Sequence, residues 1–177
     1  MSKTLVAYFS VTGNTRITAE TIAKAIKADN LYEIIADDPY TGKDLNWKDP
    51  DSRVSKEEKN LSTRPTIASE TLKMDYDIIY LGFPIWWGTA PKIINTFLES
   101  YDTVGRTIIP FSTSEGSDIM HTASRLKTES APDADWHAGA VLTKNMTPEE
   151  ISNWAENSVN SPSVTDGEIS AEDGYNA

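Results

Sequence analysis

The chain predicts an α/β fold: a doubly wound three-layer sandwich around a five-stranded parallel sheet. Three observations predict it. Apolar runs alternate with amphipathic segments along most of the 177 residues, the pattern of βαβ units. The apolar runs are continuous rather than alternating, as strands buried on both faces require. The first run ends in a short hydroxyl- and glycine-containing loop that opens directly into a helical pattern.

Residues 5–9 (Leu5, Val6, Ala7, Tyr8, Phe9) form the first predicted strand. The helix that follows carries Ala19, Ile22, Ala23 and Ile26 on one face. Residues 31–36 read as the second strand. A long polar segment, 37–75, comes next, broken by Pro39, Pro50 and Pro65, with a short helix expected within 52–61. A connection of this length is uncommon and is often functional. Residues 76–83 form the third strand. A helix over 90–101 follows, with Pro91 expected in its first turn. The fourth strand spans 107–111, a helix spans 116–127, and the fifth strand spans 138–142. Thr147-Pro148-Glu149-Glu150 is a capping box with proline at the first helical position. It opens a last helix bearing Ile151 and Trp154. The order 2-1-3-4-5 is a common solution for such a sheet. We divide the chain into a domain over 1–156 and an acidic tail over 157–177.

Composition bounds the function. Sixteen basic and 27 acidic residues give a net charge of −11, which argues against a nucleic-acid partner. Residues 155–177 hold five acids and no base. No apolar run is long enough for a membrane span, and the sequence passes from Met1-Ser2-Lys3 straight into a strand, so a cytoplasmic protein is expected. Without cysteine, disulfides and thiolate metal sites are excluded.

In an open parallel sheet, ligands bind at the carboxyl edge where strand order reverses, between strands 1 and 3. Three loops meet that edge: 10–15, 84–89 and 112–116. The first is Ser10-Val11-Thr12-Gly13-Asn14-Thr15. It joins a strand's carboxyl end to a helix's amino end, where free N–H groups and the helix dipole favour an anion. Hydroxyls, an amide and the turn-permitting Gly13 suit a terminal phosphate. No lysine follows a second glycine and no G-x-G-x-x-G occurs, so neither the nucleoside-triphosphate loop nor the dinucleotide fingerprint is present. An ordinary helix cap by Thr12 or Asn14 is the plainer alternative. The second loop carries adjacent Trp86 and Trp87, whose flat apolar faces suit a planar ring. One of the pair is free to serve packing instead. The third loop, Ser112-Thr113-Ser114-Glu115-Gly116, offers hydroxyls and amides, or simply a helix cap at Ser114. Arg16 and Arg64 read as surface residues. His121 and His137 are isolated, with no metal-ligand spacing, and Glu115 reads as a helix-start acid.

Ser-x-Thr-Gly-Asn-Thr directly after the first strand resembles the FMN phosphate loop of the flavodoxin family. Pro84-Ile85-Trp86-Trp87-Gly88 also resembles the Pro-x-x-Phe-Gly loop of flavodoxin-like quinone reductases. The resemblance runs from Lys3 to Ala155. The fifth strand has no long insertion, as in short-chain flavodoxins. The resemblance implies noncovalent FMN: its phosphate on Ser10, Thr12, Gly13, Asn14 and Thr15; its N5 and O4 edge on Pro84, Ile85, Trp86, Trp87 and Gly88; its O2 and N3 edge on Ser112, Thr113, Ser114 and Gly116. The third loop has no aromatic residue to cover the outer flavin face. Either Trp47 or Tyr40 covers it, or it is open to a substrate. Thr89 stands where many flavodoxins have an acid. The implied function is a low-potential electron carrier, monomer or homodimer, meeting a redox partner protein or a small-molecule electron acceptor. The alternatives are an NAD(P)H-dependent FMN oxidoreductase and a non-redox module binding a phosphate ligand.

Overall fold

The computed structural model describes residues 1–114 and 118–164. Among the described residues, the first five strands pair in the order 2-1-3-4-5, all parallel, with four helices on the faces of the sheet and a fifth, short one in the long segment after the second strand. The strands are β1 (Thr4–Tyr8), β2 (Asn30–Glu33), β3 (Ile78–Phe83), β4 (Thr107–Ser112), β5 (Asp135–Trp136) and β6 (Ala140–Val141). The helices are α1 (Asn14–Ala25), α2 (Arg53–Lys59), α3 (Lys92–Glu99), α4 (Ile119–Ser130) and α5 (Pro148–Ser158).

Strand residues alternate between two core layers, as a period of two requires. Leu5, Ala7, Ile79, Leu81 and Phe83 share one layer with Ile93, Ile94, Phe97 and Leu98 of α3 and with Ala123 and Leu126 of α4. Val6, Tyr8, Tyr80, Ile109 and Phe111 share the other with Ala19 and Ile22 of α1 and with Ile151 and Ala155 of α5. Burial on both faces explains why β1, β3 and β4 read as near-continuous apolar runs.

The fifth strand departs from expectation. Instead of one strand over 138–142, two short pieces, β5 and β6, flank a gap at 137–139, and both pair with β4. The cause lies in β4. The carbonyls of Arg106, Ile108 and Ser112 accept from Asp135, His137 and Leu142. Pro110 is the next residue in that row, and proline has no N–H to give. Gly139 crosses close to it: a Cβ there would stand 2.3 Å from the Pro110 carbonyl oxygen.

Smaller shifts are local. The second strand stops at Glu33, and the chain from Ile35 to Asp37 bonds antiparallel to residues 66–69 through Ala68 N–H to Ile35 O (2.8 Å) and Asp37 N–H to Thr66 O (2.8 Å). Pro91 is the N-cap of α3 rather than a first-turn residue. Asp118, not Ser114, caps α4. The expected capping box of Thr147 and Glu150 is present, with Pro148 opening α5. That helix runs to Ser158, and the chain beyond it returns to the sheet: Ser163 bridges His137, and Val164 N–H donates to Trp136 O at 2.6 Å. No helix among the described residues is long and apolar enough to cross a membrane.

Candidate functional site

The loop after β1 ends in Gly13, which caps α1 at φ 93° with no side-chain hydrogen bond to the helix. Neither Thr12 nor Asn14 caps it. The amides of Asn14, Thr15 and Arg16 therefore have no partner among the described residues, the condition that lets a helix end receive an anion. Gly13 N–H donates to Ser10 Oγ at 3.1 Å, which holds the loop closed. A Cβ on Gly13 would meet nothing within 4 Å, so its glycine serves the left-handed backbone and not a tight packing contact. Arg16, by contrast, is turned to Glu33 at 2.6 Å.

The three loops are joined by side-chain bonds. Buried Thr15 and half-buried Thr113 share a hydroxyl–hydroxyl bond of 2.9 Å, tying the first loop to the third. Ser114 Oγ accepts from Ile85 N–H at 2.8 Å, tying the third to the second. Ser112 is fully buried, and its Oγ accepts from Ser114 N–H at 3.2 Å; it shapes the loop from beneath. Gly116 lies outside the described residues.

Pro84 and Ile85 lead into a tight turn at Trp86-Trp87-Gly88-Thr89. Trp86 N–H donates to Thr89 O at 2.8 Å and Thr89 N–H to Trp86 O at 3.0 Å. Trp87 and Gly88 have φ of 56° and 71°, the signature of a type I′ turn. A bulky residue in the left-handed region is strained, so the fold holds Trp87 there against its preference. Thr122 Oγ1 donates to Gly88 O at 3.3 Å and pins the turn to α4.

The two tryptophans divide their roles. Trp86 is half-buried and edge-on to Phe9 (5.8 Å) and Tyr40 (5.3 Å). Trp87 is 48% exposed, edge-on to Trp47 at 6.0 Å, and Trp47 is itself 61% exposed. Tyr40 is turned inward: its hydroxyl donates to Glu57 at 2.8 Å and the Arg53 guanidinium lies 3.8 Å over its ring. Burial, with the Glu57 bond, pushes the Tyr40 phenol far above its ordinary pKa. Of the two aromatics expected from the 37–75 segment, Trp47 is the one at the rim. Leu45, Trp47, Val54, Ile85, Trp86 and Trp87 line a cavity of about 250 Å³.

A fourth loop, 143–146, was missed by the sequence reading. With Asn14, Thr113 and the flanks of α1 and α5, its residues Thr143, Lys144 and Met146 line a cavity of about 490 Å³ at the same sheet edge. No glycine, aromatic pair or hydroxyl run marks it; only its place after the last strand pointed there. Arg64 lies outside the site, forked onto Glu99 at 2.9 Å through both Nε and Nη2.

Comparisons with known proteins agree with this geometry. A structure from Bacteroides uniformis, provisionally named a flavoprotein, is 43% identical with a TM-score of 0.82, over 88% of this chain and 98% of that one. A provisionally named flavoprotein from Bacteroides eggerthii is 40% identical with a TM-score of 0.79, over 90% and 99%. A Lactobacillus acidophilus flavoprotein in complex with FMN shares the fold at 23% identity and a TM-score of 0.64, over 88% and 99%. A search of curated proteins finds no match. A family model described as flavodoxin matches residues 3–158, almost the whole described chain. With the strand order 2-1-3-4-5, the uncapped helix after β1 and the paired tryptophans after β3, this places the chain in the flavodoxin family.

Proposed function

We propose that this protein binds FMN noncovalently at the joined carboxyl-edge loops and works as a low-potential electron carrier. The observation that carries the reading is the uncapped amino end of α1, with Ser10, Thr12, Asn14 and Thr15 around it, tied through Thr113 and Ser114 to the exposed Trp87 turn. The donor set fits a phosphate, and the exposed indoles of Trp47 and Trp87 fit a flat apolar ring beside it. FMN, when bound, supplies the redox chemistry. The chain's own groups would orient it: the loop amides would hold the phosphate, the Trp87–Gly88 turn would present backbone polar groups to the ring, and Trp47 would cover one of its faces. The net charge of −11 disfavours added negative charge on the ring, which lowers the potential, and suits a basic redox partner.

One observation favours a second reading, an NAD(P)H-dependent oxidoreductase. The cavity between Trp47 and the Trp86–Trp87 turn is apolar and leaves room for a small acceptor. Anaerobic titration of the FMN-loaded protein separates the two. For the carrier, NADH and NADPH leave the absorbance unchanged, and dithionite reduces the protein in two one-electron steps. Bleaching by a nicotinamide in one two-electron step establishes the oxidoreductase. A purified chain that takes up no FMN overturns both and leaves a phosphate-ligand module.

A further inference from the structure

The phosphate loop contains no basic residue, and the one arginine beside it, Arg16, is committed to Glu33 at 2.6 Å. A dianionic phosphate brought to a chain of net charge −11 thus meets amide and hydroxyl donors but no cation from its own loop. The structure places one elsewhere. Lys144 lies in the loop between β6 and α5 and lines the same cavity as Asn14 and Thr113. It is exposed and has no hydrogen bond or ion pair among the described residues. Its loop is held at both ends. Leu142 N–H donates to Ser112 O at 2.6 Å, Met146 N–H to Thr143 O at 3.0 Å, and the Thr147 capping box fixes the start of α5. An ammonium with no partner among the described residues is therefore carried on an anchored one-turn loop that shares a cavity with Asn14 and Thr113.

We propose that Lys144 is the counter-charge to the ligand's phosphate, supplied by the fourth loop and not by the phosphate loop itself. The inference rests on the flavin reading above. It makes Lys144 a specificity residue: it distinguishes a phosphorylated flavin from the same ring without phosphate. An ammonium–phosphate contact is a charge-assisted bond, stronger than a neutral one and weakened by salt.

The test is calorimetric titration of the apo-protein with FMN and with riboflavin, for wild type, Lys144→Gln and Lys144→Arg, at low and high salt. K144Q is expected to weaken FMN binding about tenfold, to leave riboflavin affinity unchanged, and to flatten the salt dependence of FMN binding. K144R retains most of the FMN affinity. Equal FMN affinity in K144Q and wild type overturns the proposal. An equal loss for FMN and riboflavin overturns it too, because that outcome marks damage to the loop rather than a lost charge. A wild type that binds neither flavin, or binds riboflavin as tightly as FMN, fails the phosphate-loop reading itself and takes the proposal with it.

Discussion

At the scale of single residues, Lys92 breaks two local rules at once. It is only 3% exposed and opens α3, where the helix dipole opposes a cation. Its Nζ stands 4.0 Å from Glu129 Oε2, while Glu129 is already held by Arg125 at 3.1 Å and by Asn95 Nδ2 at 3.1 Å. The ammonium also faces the part-buried Glu58 carboxyl, whose charge it favours against the like charge of Glu129. Replacing it with an apolar side chain leaves two neighbouring carboxylates with one cation fewer. Lys92→Met is therefore expected to destabilise the fold by about 1 kcal/mol, lowering the thermal midpoint by about 2–4 °C; an unchanged or raised midpoint in a calorimetric scan refutes this account. The tryptophan pair shows how far a residue can be read from sequence. Two adjacent indoles at a sheet edge marked the loop as a place for a flat ring. Which of them faces inward depends on Phe9 and Tyr40 arriving from other elements, and on a turn that puts Trp87 at positive φ. Neither fact is local in sequence.

At the scale of elements, apolar runs and helix signals located the described helices and the first four strands to within a few residues; for β1, β3 and β4 the signal is burial on both sheet faces, which writes itself into composition. The fifth strand was read as continuous because Pro110 lies in its neighbour, and a missing donor acts across the ladder, not along the chain. The site was legible where its loops carry special residues: glycine and hydroxyls after β1, tryptophans after β3. The loop after β6 has a single hydroxyl, no glycine and no tryptophan, and only the topology brings Thr143 and Lys144 to Asn14 and Thr113. The break between β5 and β6 is itself testable. Gly139→Ala puts a methyl 2.3 Å from the Pro110 carbonyl, a backbone atom that cannot swing away. The substitution is expected to destabilise the protein by about 2 kcal/mol in urea unfolding. It also loosens the 143–146 loop, so FMN affinity falls with it. An unchanged unfolding midpoint contradicts the close approach.

At the scale of the whole molecule, several carboxylates tie the stability of the fold to pH. The Arg64 fork holds the Glu99 carboxyl below its usual range, with help from Ser130. Ser163 and His137 hold Asp135 low, and Thr147 holds Glu150 low. A carboxylate with a depressed folded pKa adds stability that is present above its unfolded pKa, near 4, and is lost as pH falls through the folded value. The thermal midpoint is therefore expected to be level near neutrality and to fall below about pH 4. Glu99→Gln flattens part of that fall; a midpoint equally steep in E99Q shows that the Arg64 fork does not contribute.

The placement of the five tryptophans has an optical consequence. Trp136 is sealed in the core with its indole N–H on Ala131 O at 3.0 Å, and Trp154 packs edge-on to Tyr80 and Phe111 on the opposite side of the sheet. Trp47 and Trp87 stand in solvent at the ring site, and Trp86 lies just beneath. Intrinsic emission thus divides into a blue component from the two core layers and a red component from the rim. A ring seated against Trp47 and Trp87 quenches the red one first, whereas unfolding shifts the blue one. One spectrum therefore separates occupancy of the site from integrity of the fold, with no label added to the chain.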